Sequence, residues 1–486
     1  MSDAGRFVAK QPKMQRWSIF LFLLLAAATV AGQTLTLEQA VERAIDQSLE
    51  AQQAQLDVAS AKANYRQSKL DQYPNAAFST NAGFQFGLGV DPTTNTLQQQ
   101  QIFFASPSIN ANATLFAGGR IRSTIARNKV RIEAAEASAE DLRQDVALNM
   151  ANQYLSALLA REELNAARSR LVDAQAQLQR TDRLIEAGSL ARVERFPLAS
   201  EQARAQQNVV VAQNALELAE LQLKQLLRME PAEALQLVRP ESIDFDKVQL
   251  STAAALEVYQ AAVSRQPAIR AAELNEAAAT EGLAIAKAGY YPNLTAFGQL
   301  NSRYSSQATE LVGFTMGDVE EQTVFIDGNP ITLGFPSQNP EFQTISAGQQ
   351  LNDFFGQVVG INLNVPIFSN GVNDLLVQQA QLDLERARLS TALERQRLEV
   401  EVSQALQAAR AAQAEVAASE RALEAARATV SAAQRRSEAG AASAYELANA
   451  QLLLEQAEVT YLRNRYQFLF NAKVVDFYLG RPLTLD

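Results

Sequence analysis

The chain has 486 residues, 53 of them acidic and 43 basic, for a formal charge of -10, and it contains neither cysteine nor histidine. Disulfides, thiolate and imidazole metal sites, and Ser-His or Cys-His catalysis are therefore excluded. No basic cluster stands out, so nucleic acid is not an expected partner, and the length allows two or three domains.

Arg6, Lys10, Lys13 and Arg16 precede the apolar run from Trp17 to Ala28, and the small residues of TVAGQ follow. A basic segment, a short apolar segment and small residues predict a secretory signal peptide over 1–32, cleaved after Ala31 or Gly32. The other reading is an uncleaved anchor, although the run is short for a spanning helix. Without this segment, which carries four positive charges and one negative, the chain would stand at -13. Nothing later holds 18 consecutive apolar residues, so a second encounter with a membrane needs another device.

The mature chain opens with a predicted helix over Thr36–Gln72 that stops at Tyr73-Pro74, since the residue before proline avoids the α region. Two strands follow at 75–90 and 107–117. A helix from Arg120 to Ala187, rich in Ala, Leu, Glu, Gln and Arg, would span roughly 100 Å. It breaks at Glu-Ala-Gly, ending in Gly188, and a shorter helix runs over 190–228. The segment from Met229 to Leu250, with Pro231 and Pro240, reads as a connector.

The performance then repeats. A helix over 251–290 stops at Tyr291-Pro292, and strands follow at 292–305 and 357–368. A long helix over 372–439 breaks at a second Glu-Ala-Gly ending in Gly440, and a closing helix covers 442–478. Pro74 matches Pro292 at an offset of 218. Phe116 and Gly119 match Phe368 and Gly371 at an offset of 252, as Gly188 matches Gly440. The second copy therefore carries 34 additional residues between its strands. This divides the chain into a leader at 1–32, one copy at 33–230, a connector at 231–250 and a second copy at 251–486. The helical hairpins cover 119–228 and 371–478. Each closing helix plus an opening helix matches one long helix in length, so the two are expected to stack end to end. Alanine-rich stretches such as the one from Ala408 let backbones approach closely; an ordinary coiled coil or exposed stalk fits the pattern equally.

The strands alternate with period two. Ala76, Phe78, Ala82, Phe84, Phe86 and Leu88 share one face, opposite Ala77, Ser79, Asn81 and Gln85. Ile109, Ala111, Ala113 and Leu115 oppose Ser108, Asn110, Asn112 and Thr114. Leu294, Ala296 and Leu300 oppose Thr295, Gln299, Asn301 and Arg303, with Phe297 out of pattern. Val359, Ile361, Leu363, Val365 and Ile367 oppose Asn362 and Asn364. One reading is a small sheet packed on helices, the other a transmembrane β-barrel with lipid outside and water inside. Four strands cannot close a barrel, and a membrane sheet leaves no unpaired edge, so the second reading requires oligomerisation. A dimer supplies eight strands and a filled interior; a trimer supplies twelve and a lumen.

The signal peptide, the duplicated units, Tyr-Pro-Asn, Phe-x-x-Gly, the Glu-Ala-Gly breaks and the ending VVDFYLGRPL together resemble the TolC family of outer-membrane efflux proteins, over roughly Leu35–Leu483. The resemblance implies a mainly α chain that forms a homotrimer. Its twelve-stranded β-barrel would sit among the lipids of the Gram-negative outer membrane, continued by a long α-helical barrel through the periplasm. It implies the passive exit duct of a tripartite efflux or type I secretion system, served by an inner-membrane pump and a periplasmic adaptor and gated at the periplasmic tip. No cofactor or metal is implied. Gly188 and Gly440 would be the hairpin turns, with Ser189, Leu190, Ala441 and Ser443 beside them at the adaptor contact. Pro74, Phe116, Gly119, Pro292, Phe368 and Gly371 would mark strand–helix junctions. Family members carry acidic residues just past the tip turn, and the matching positions are Glu194, Glu446 and Asn449. Asn449 stands where a second acid is common and Ala442 where some members carry a gate arginine. Three copies of Glu446 would form a ring that attracts cations; a solvated carboxylate on a helix face is the plainer reading.

The insertion, about Ser306–Phe355, carries Glu310, Asp318, Glu320, Glu321, Asp327 and Glu341, and TVFIDGNPITLGF reads as a hairpin turning at Asp327-Gly328. It would face outside the cell, as a lid over the mouth or as a disordered loop. Catalysis finds no support: no carboxylate pair sits with a nucleophile or phosphate loop, and the GLG at Gly87 precedes no helix. The better rival is a periplasmic coiled-coil adaptor or structural helical protein, which would lack the two strand pairs.

Overall fold

The computed structural model describes residues 33–90, 97–99, 101–238, 254–439 and 441–481. The first copy runs β1 (Gln33–Leu35), α1 (Leu37–Gln47), α2 (Leu49–Leu70), β2 (Asn75–Gln85), β3 (Leu88–Val90), β4 (Leu97–Gln99), β5 (Ile102–Ala117), α3 (Arg120–Glu186), α4 (Arg195–Leu226) and β6 (Leu235–Leu237). The second runs α5 (Ala255–Val263), α6 (Pro267–Lys287), β7 (Asn293–Asn301), β8 (Tyr304–Ser305), β9 (Thr309–Ile326), β10 (Asn329–Thr344), α7 (Ala347–Asp353), β11 (Gly356–Asn364), α8 (Val372–Glu438) and α9 (Ala444–Tyr478). The expected leader, Gly440, the connector from position 239 and the last five residues lie outside the described residues.

Both opening helices are broken where one helix each was expected. Ser48 takes an extended conformation (ψ 127°) between α1 and α2, and its Oγ accepts from Ala51 N at 3.2 Å. A serine capping the next helix competes with continuing the previous one. In the second copy Pro267 opens α6, because a proline fits only the first helical turn.

The chain divides into two compact units. One unit comprises Asp57–Glu136 and Arg270–Leu393. Its main sheet has the order β11-β7-β5-β2, with β8 also on β5. The pairings β2–β5, β5–β7 and β7–β11 are antiparallel, so the strands of the two copies meet at β5–β7. The register aligns Phe78, Ile109 and Leu300 on one face, with Ala76, Ala111, Gly298 and Val359 beside them. Ser79, Ser108 and Asn301 line the other, where Ser79 and Ser108 hydroxyls meet at 2.9 Å. Phe297 lies on this polar side because it covers Gly360, where a Cβ would meet its ring at 2.7 Å. The apolar face is open to its surroundings: Phe78 is 68% exposed and Val359 88%. The outer edges of β2 and β11 pair with no other strand among the described residues.

Two strand ends differ from expectation. β5 begins at Ile102 rather than at 107. Pro107 O accepts Ser302 N at 3.0 Å just past the end of β7, so the missing N–H faces a neighbour strand that has already stopped. β11 ends at Asn364 rather than 368, ahead of Pro366, while the first copy has Thr114 at the matching position and β5 runs on to Ala117. The turn into each long helix uses two consecutive left-handed residues, Gly118-Gly119 (φ 60° and 86°) and Asn370-Gly371 (φ 51° and 75°). Gly118 is the crowded position of the four: a Cβ there would sit 2.6 Å from Tyr291 Cβ and 2.7 Å from Ala288 O.

The other unit comprises the chain up to Leu56, Ala137–Ile269 and the part from Glu394 onward. β1 pairs in parallel with β6, which turns part of the expected connector into structure. Tyr154, fully buried on α3, places its hydroxyl 2.8 Å from both Leu35 O and Val238 O, and Arg161 donates to Leu237 O at 2.8 Å. Burial pushes the Tyr154 phenol up to about 12. Met150, Leu158, Leu223, Leu227 and Leu469 complete this core. A second core joins α5 and the start of α6 to α8 and α9 through Val258, Ile269, Val402, Leu406 and Val475.

Candidate functional site

The two helix breaks lie in this second unit. α3 ends in a Schellman turn: Gly188 has φ 74°, its N–H reaches Ile185 O at 3.0 Å, and Ser189 N reaches Leu184 O at 2.8 Å. At the other break Ala441 N donates to Arg436 O at 2.7 Å, the same six-to-one closure. The shorter helices start later than the residue pattern suggests. A single 3-10 turn, Arg192–Glu194, precedes α4, and α9 begins at Ala444 with Ser443 as its N-cap.

The first donors of α9 are satisfied from two sides. Ser443 Oγ accepts from Glu446 N at 3.2 Å, and Glu194 Oε2 accepts from Ala444 N at 3.0 Å. Glu194 thus caps the N-terminus of a helix in the other hairpin, where the positive end of the helix dipole favours a carboxylate. Glu446 is half exposed and lies 3.6 Å from Arg436, which also donates to Ala441 O at 3.1 Å. Asn449 is exposed on the same helix. Ser189, Leu190, Glu194, Ala441, Ser443 and Glu446 all line one cleft of about 1410 Å³ between the hairpin ends. Further in, Arg170 pairs with Glu458 and Arg204 with Glu201. Burial raises the Glu201 carboxyl despite Arg204. Gln177 and Gln451 meet at 2.6 Å, and Asn208 donates to Glu455 at 2.8 Å. Residue patterns overlooked Arg436, although Arg435-Arg436 stands just ahead of the second break, and overlooked the Arg195–Asp182 pair at 2.8 Å.

Of the expected junction residues, Pro74 and Pro292 directly precede β2 and β7, and Phe116 lies within β5. Phe368 falls beyond β11 and is 85% exposed. Among the described residues no group of three or more His, Cys, Asp or Glu could hold a metal ion, and no helix is long and apolar enough to cross a membrane.

A mainly α chain with an open four-stranded sheet, two long helical hairpins and pervasive duplication defines the class of outer-membrane channel chains. The family profile described as outer membrane efflux protein matches residues 40–227 and 258–481, and the chain belongs to that family. Its fold is similar to that of the CusC channel (TM-score 0.72, 17% identity, 92% of each chain covered). It is also similar to the outer-membrane protein VceC of Vibrio cholerae (TM-score 0.71, 14% identity, 92% of this chain and 96% of that one). A third likeness is to the CmeC outer-membrane channel of Campylobacter jejuni (TM-score 0.70, 16% identity, 91% and 85%). No curated protein matches the chain significantly in sequence. The protein is an outer-membrane efflux channel that extends into the periplasm of a Gram-negative bacterium, a passive duct and not an enzyme. The rival of a periplasmic coiled-coil adaptor falls with that membership. The fold is that of trimeric channels in which three four-stranded sheets close one twelve-stranded barrel, continued by a helical barrel. Such channels work with periplasmic adaptors and inner-membrane pumps.

Proposed function

We propose that this chain gates its duct at the two hairpin ends, with Glu194, Glu446 and Asn449 at the constriction, and passes on what an inner-membrane pump and a periplasmic adaptor deliver. The observation that carries this reading is the bond from Ala444 N to Glu194, which ties one hairpin end to the other beside Glu446. Gly188, Ser189 and Leu190, with Gly440, Ala441 and Ser443, form the surface offered to the adaptor. The copies at 33–230 and 251–486, joined at 231–250, give each protomer two hairpins for the tunnel wall. The face that carries Phe78, Ile109, Leu300 and Val359 meets outer-membrane lipid, and the Ser79, Ser108 and Asn301 face meets water in the lumen.

A ring of Glu446 carboxylates favours cations, and Arg436 moderates the ring by pairing with it. Planar-bilayer recording under a salt gradient tests this. Glu446→Gln should lower the cation preference and Arg436→Gln should raise it. A permeability ratio unchanged in both variants would remove Glu446 from the pore.

A further inference from the structure

The 34 additional residues of the second copy build a structured arm rather than a disordered loop. β9 (18 residues) and β10 (16 residues) pair along their lengths and turn at Asp327-Gly328, with φ 49° and 81°. Two successive positive φ values make a type I′ turn, whose twist suits a hairpin. The base of the arm is fastened. Gln350 of α7 is fully buried; its Nε2 donates to Ser305 O at 3.0 Å and Ile345 O at 2.8 Å, and its Oε1 accepts Ser305 N at 2.9 Å. Ser306 N donates to Phe103 O at 2.9 Å, and Ile345 N to Ala308 O at 3.0 Å. Among the described residues, the hairpin beyond that base pairs only with itself.

One of its faces carries apolar residues from base to tip, while the other is apolar only toward the tip, at Val324, Ile326, Ile331, Leu333 and Phe335. Register places Phe325 opposite Pro330, Val319 opposite Pro336, Met316 opposite Gln338, Phe314 opposite Pro340 and Leu311 opposite Phe342. The β10 members are an even number of residues apart, so all of them project to the same side, with Thr332–Thr323 and Gly334–Glu321 between Pro330 and Pro336. Met316 is 80% exposed and Phe325 70%. An isolated two-stranded hairpin is marginal in water, and a stripe of this length calls for a partner. The partner cannot be a strand added beside β10. The residues flanking a two-residue turn form a hydrogen-bonded pair, so the backbone of Pro330 points outward, and Pro336 and Pro340 have the same parity. Three donors are therefore missing from that outer edge, which blocks strand addition. A lipid surface is an equally poor partner. Residues 309–344 contain Glu310, Asp318, Glu320, Glu321, Asp327 and Glu341 and no lysine or arginine, whereas anionic headgroups attract basic segments.

A second copy meets every requirement. The edges of β2 and β11 are satisfied only by neighbouring protomers, so barrel closure brings three identical arms to one level around one axis. Tethering at that distance makes the encounter intramolecular. We propose that the three hairpins of one trimer pack their apolar stripes against one another, forming a crown beyond the outer mouth of the channel. This rests on the trimeric barrel. Most of the acids face away from the contact: Glu310, Glu320 and Glu341 project from the opposite side, and Glu321 alone shares the stripe.

The natural absence of cysteine makes the test clean. Met316→Cys, Val319→Cys and, on the opposite face, Thr315→Cys are placed singly in the full-length protein, purified as the trimer, oxidised mildly, and treated in parallel with a hydrophilic maleimide. A disulfide forms only where Cα atoms come within about 7 Å. The stripe cysteines should join protomers into covalent dimers inside single trimers and react with maleimide at least tenfold more slowly than Thr315→Cys. An intact trimer in which neither stripe cysteine cross-links overturns the proposal, whether they label fast, as for arms standing apart in water, or slowly, as for arms covered by lipid or another protein. A protein that migrates as a monomer overturns the barrel and the crown together.

Discussion

Replacing Glu194 by alanine should loosen the hairpin ends. The carboxylate accepts the first donor of α9, Ala444 N, at 3.0 Å. A charge-assisted hydrogen bond at a helix N-terminus is worth about 1–2 kcal/mol at a half-buried site. Solvent at the cleft favours the lower figure. If the three protomers open together, about 1 kcal/mol from each shifts the closed–open balance by about 3 kcal/mol, on the order of 100-fold. Glu194→Gln keeps an oxygen acceptor and loses the charge, so about half of that energy remains and the shift falls to roughly tenfold. Single-channel recording reads the open fraction directly, and the expected order is alanine above glutamine above the natural protein. Equal open fractions in all three, with the trimers intact, would refute the idea that this cap holds the ends together. Glutamine behaving like alanine would show that charge, rather than the hydrogen bond, supplies the hold.

Two further expectations concern the helical unit. Tyr154→Phe removes the hydroxyl shared by Leu35 O and Val238 O, and should lower stability by about 1–2 kcal/mol; thermal denaturation of the trimer measures this, and an unchanged midpoint would mean that the β1–β6 junction holds without it. Asp141 on α3 is pushed up to about 6 by burial and by the nearby Asp145 and Glu394, against Arg397 and the Ala268 N–H. The folded protein holds this proton more tightly than the unfolded chain does, so the group's favourable contribution is complete below about pH 4 and is lost as the pH rises to about 6. Asp141→Asn should therefore gain on the order of 1 kcal/mol at pH 7.5, after allowance for solvent screening of a half-buried carboxyl, and nothing near pH 4. A gain that does not vary with pH would assign the effect to packing instead.

The parts legible in the residue order are those encoded within one or two turns of chain. α3 and α8 follow from unbroken runs of strong helix formers that stop just before a glycine, so their observed ends fall within a residue of expectation. The Asp327-Gly328 turn is equally local. Pro267 carries the signal for the break between α5 and α6, and reading one helix over 251–290 passed over it. The β1–β6 pair is different in kind. Each strand has three residues, and Gln33 meets Leu235, so neither carries a pattern long enough to read. Gly118 belongs to the same class: its side chain is forbidden by Tyr291 and Ala288, contacts that exist only after the two copies have met.

The hairpin ends show why this distinction matters for function. In the residue order Glu194 and Glu446 are equivalent, each an acid a few positions beyond a Glu-Ala-Gly break. In space one caps a helix of the other hairpin, while the other pairs with an arginine of its own. In the proposed gate, a capping carboxylate is committed to a backbone donor and would act chiefly on how firmly the ends are held. In the same proposed gate, a half-exposed carboxylate 3.6 Å from its partner keeps most of its field in the solvent and would act chiefly on what passes. The duplication that makes the fold readable therefore conceals a difference in contacts, because two copies of one motif acquire different partners once each has folded against the other.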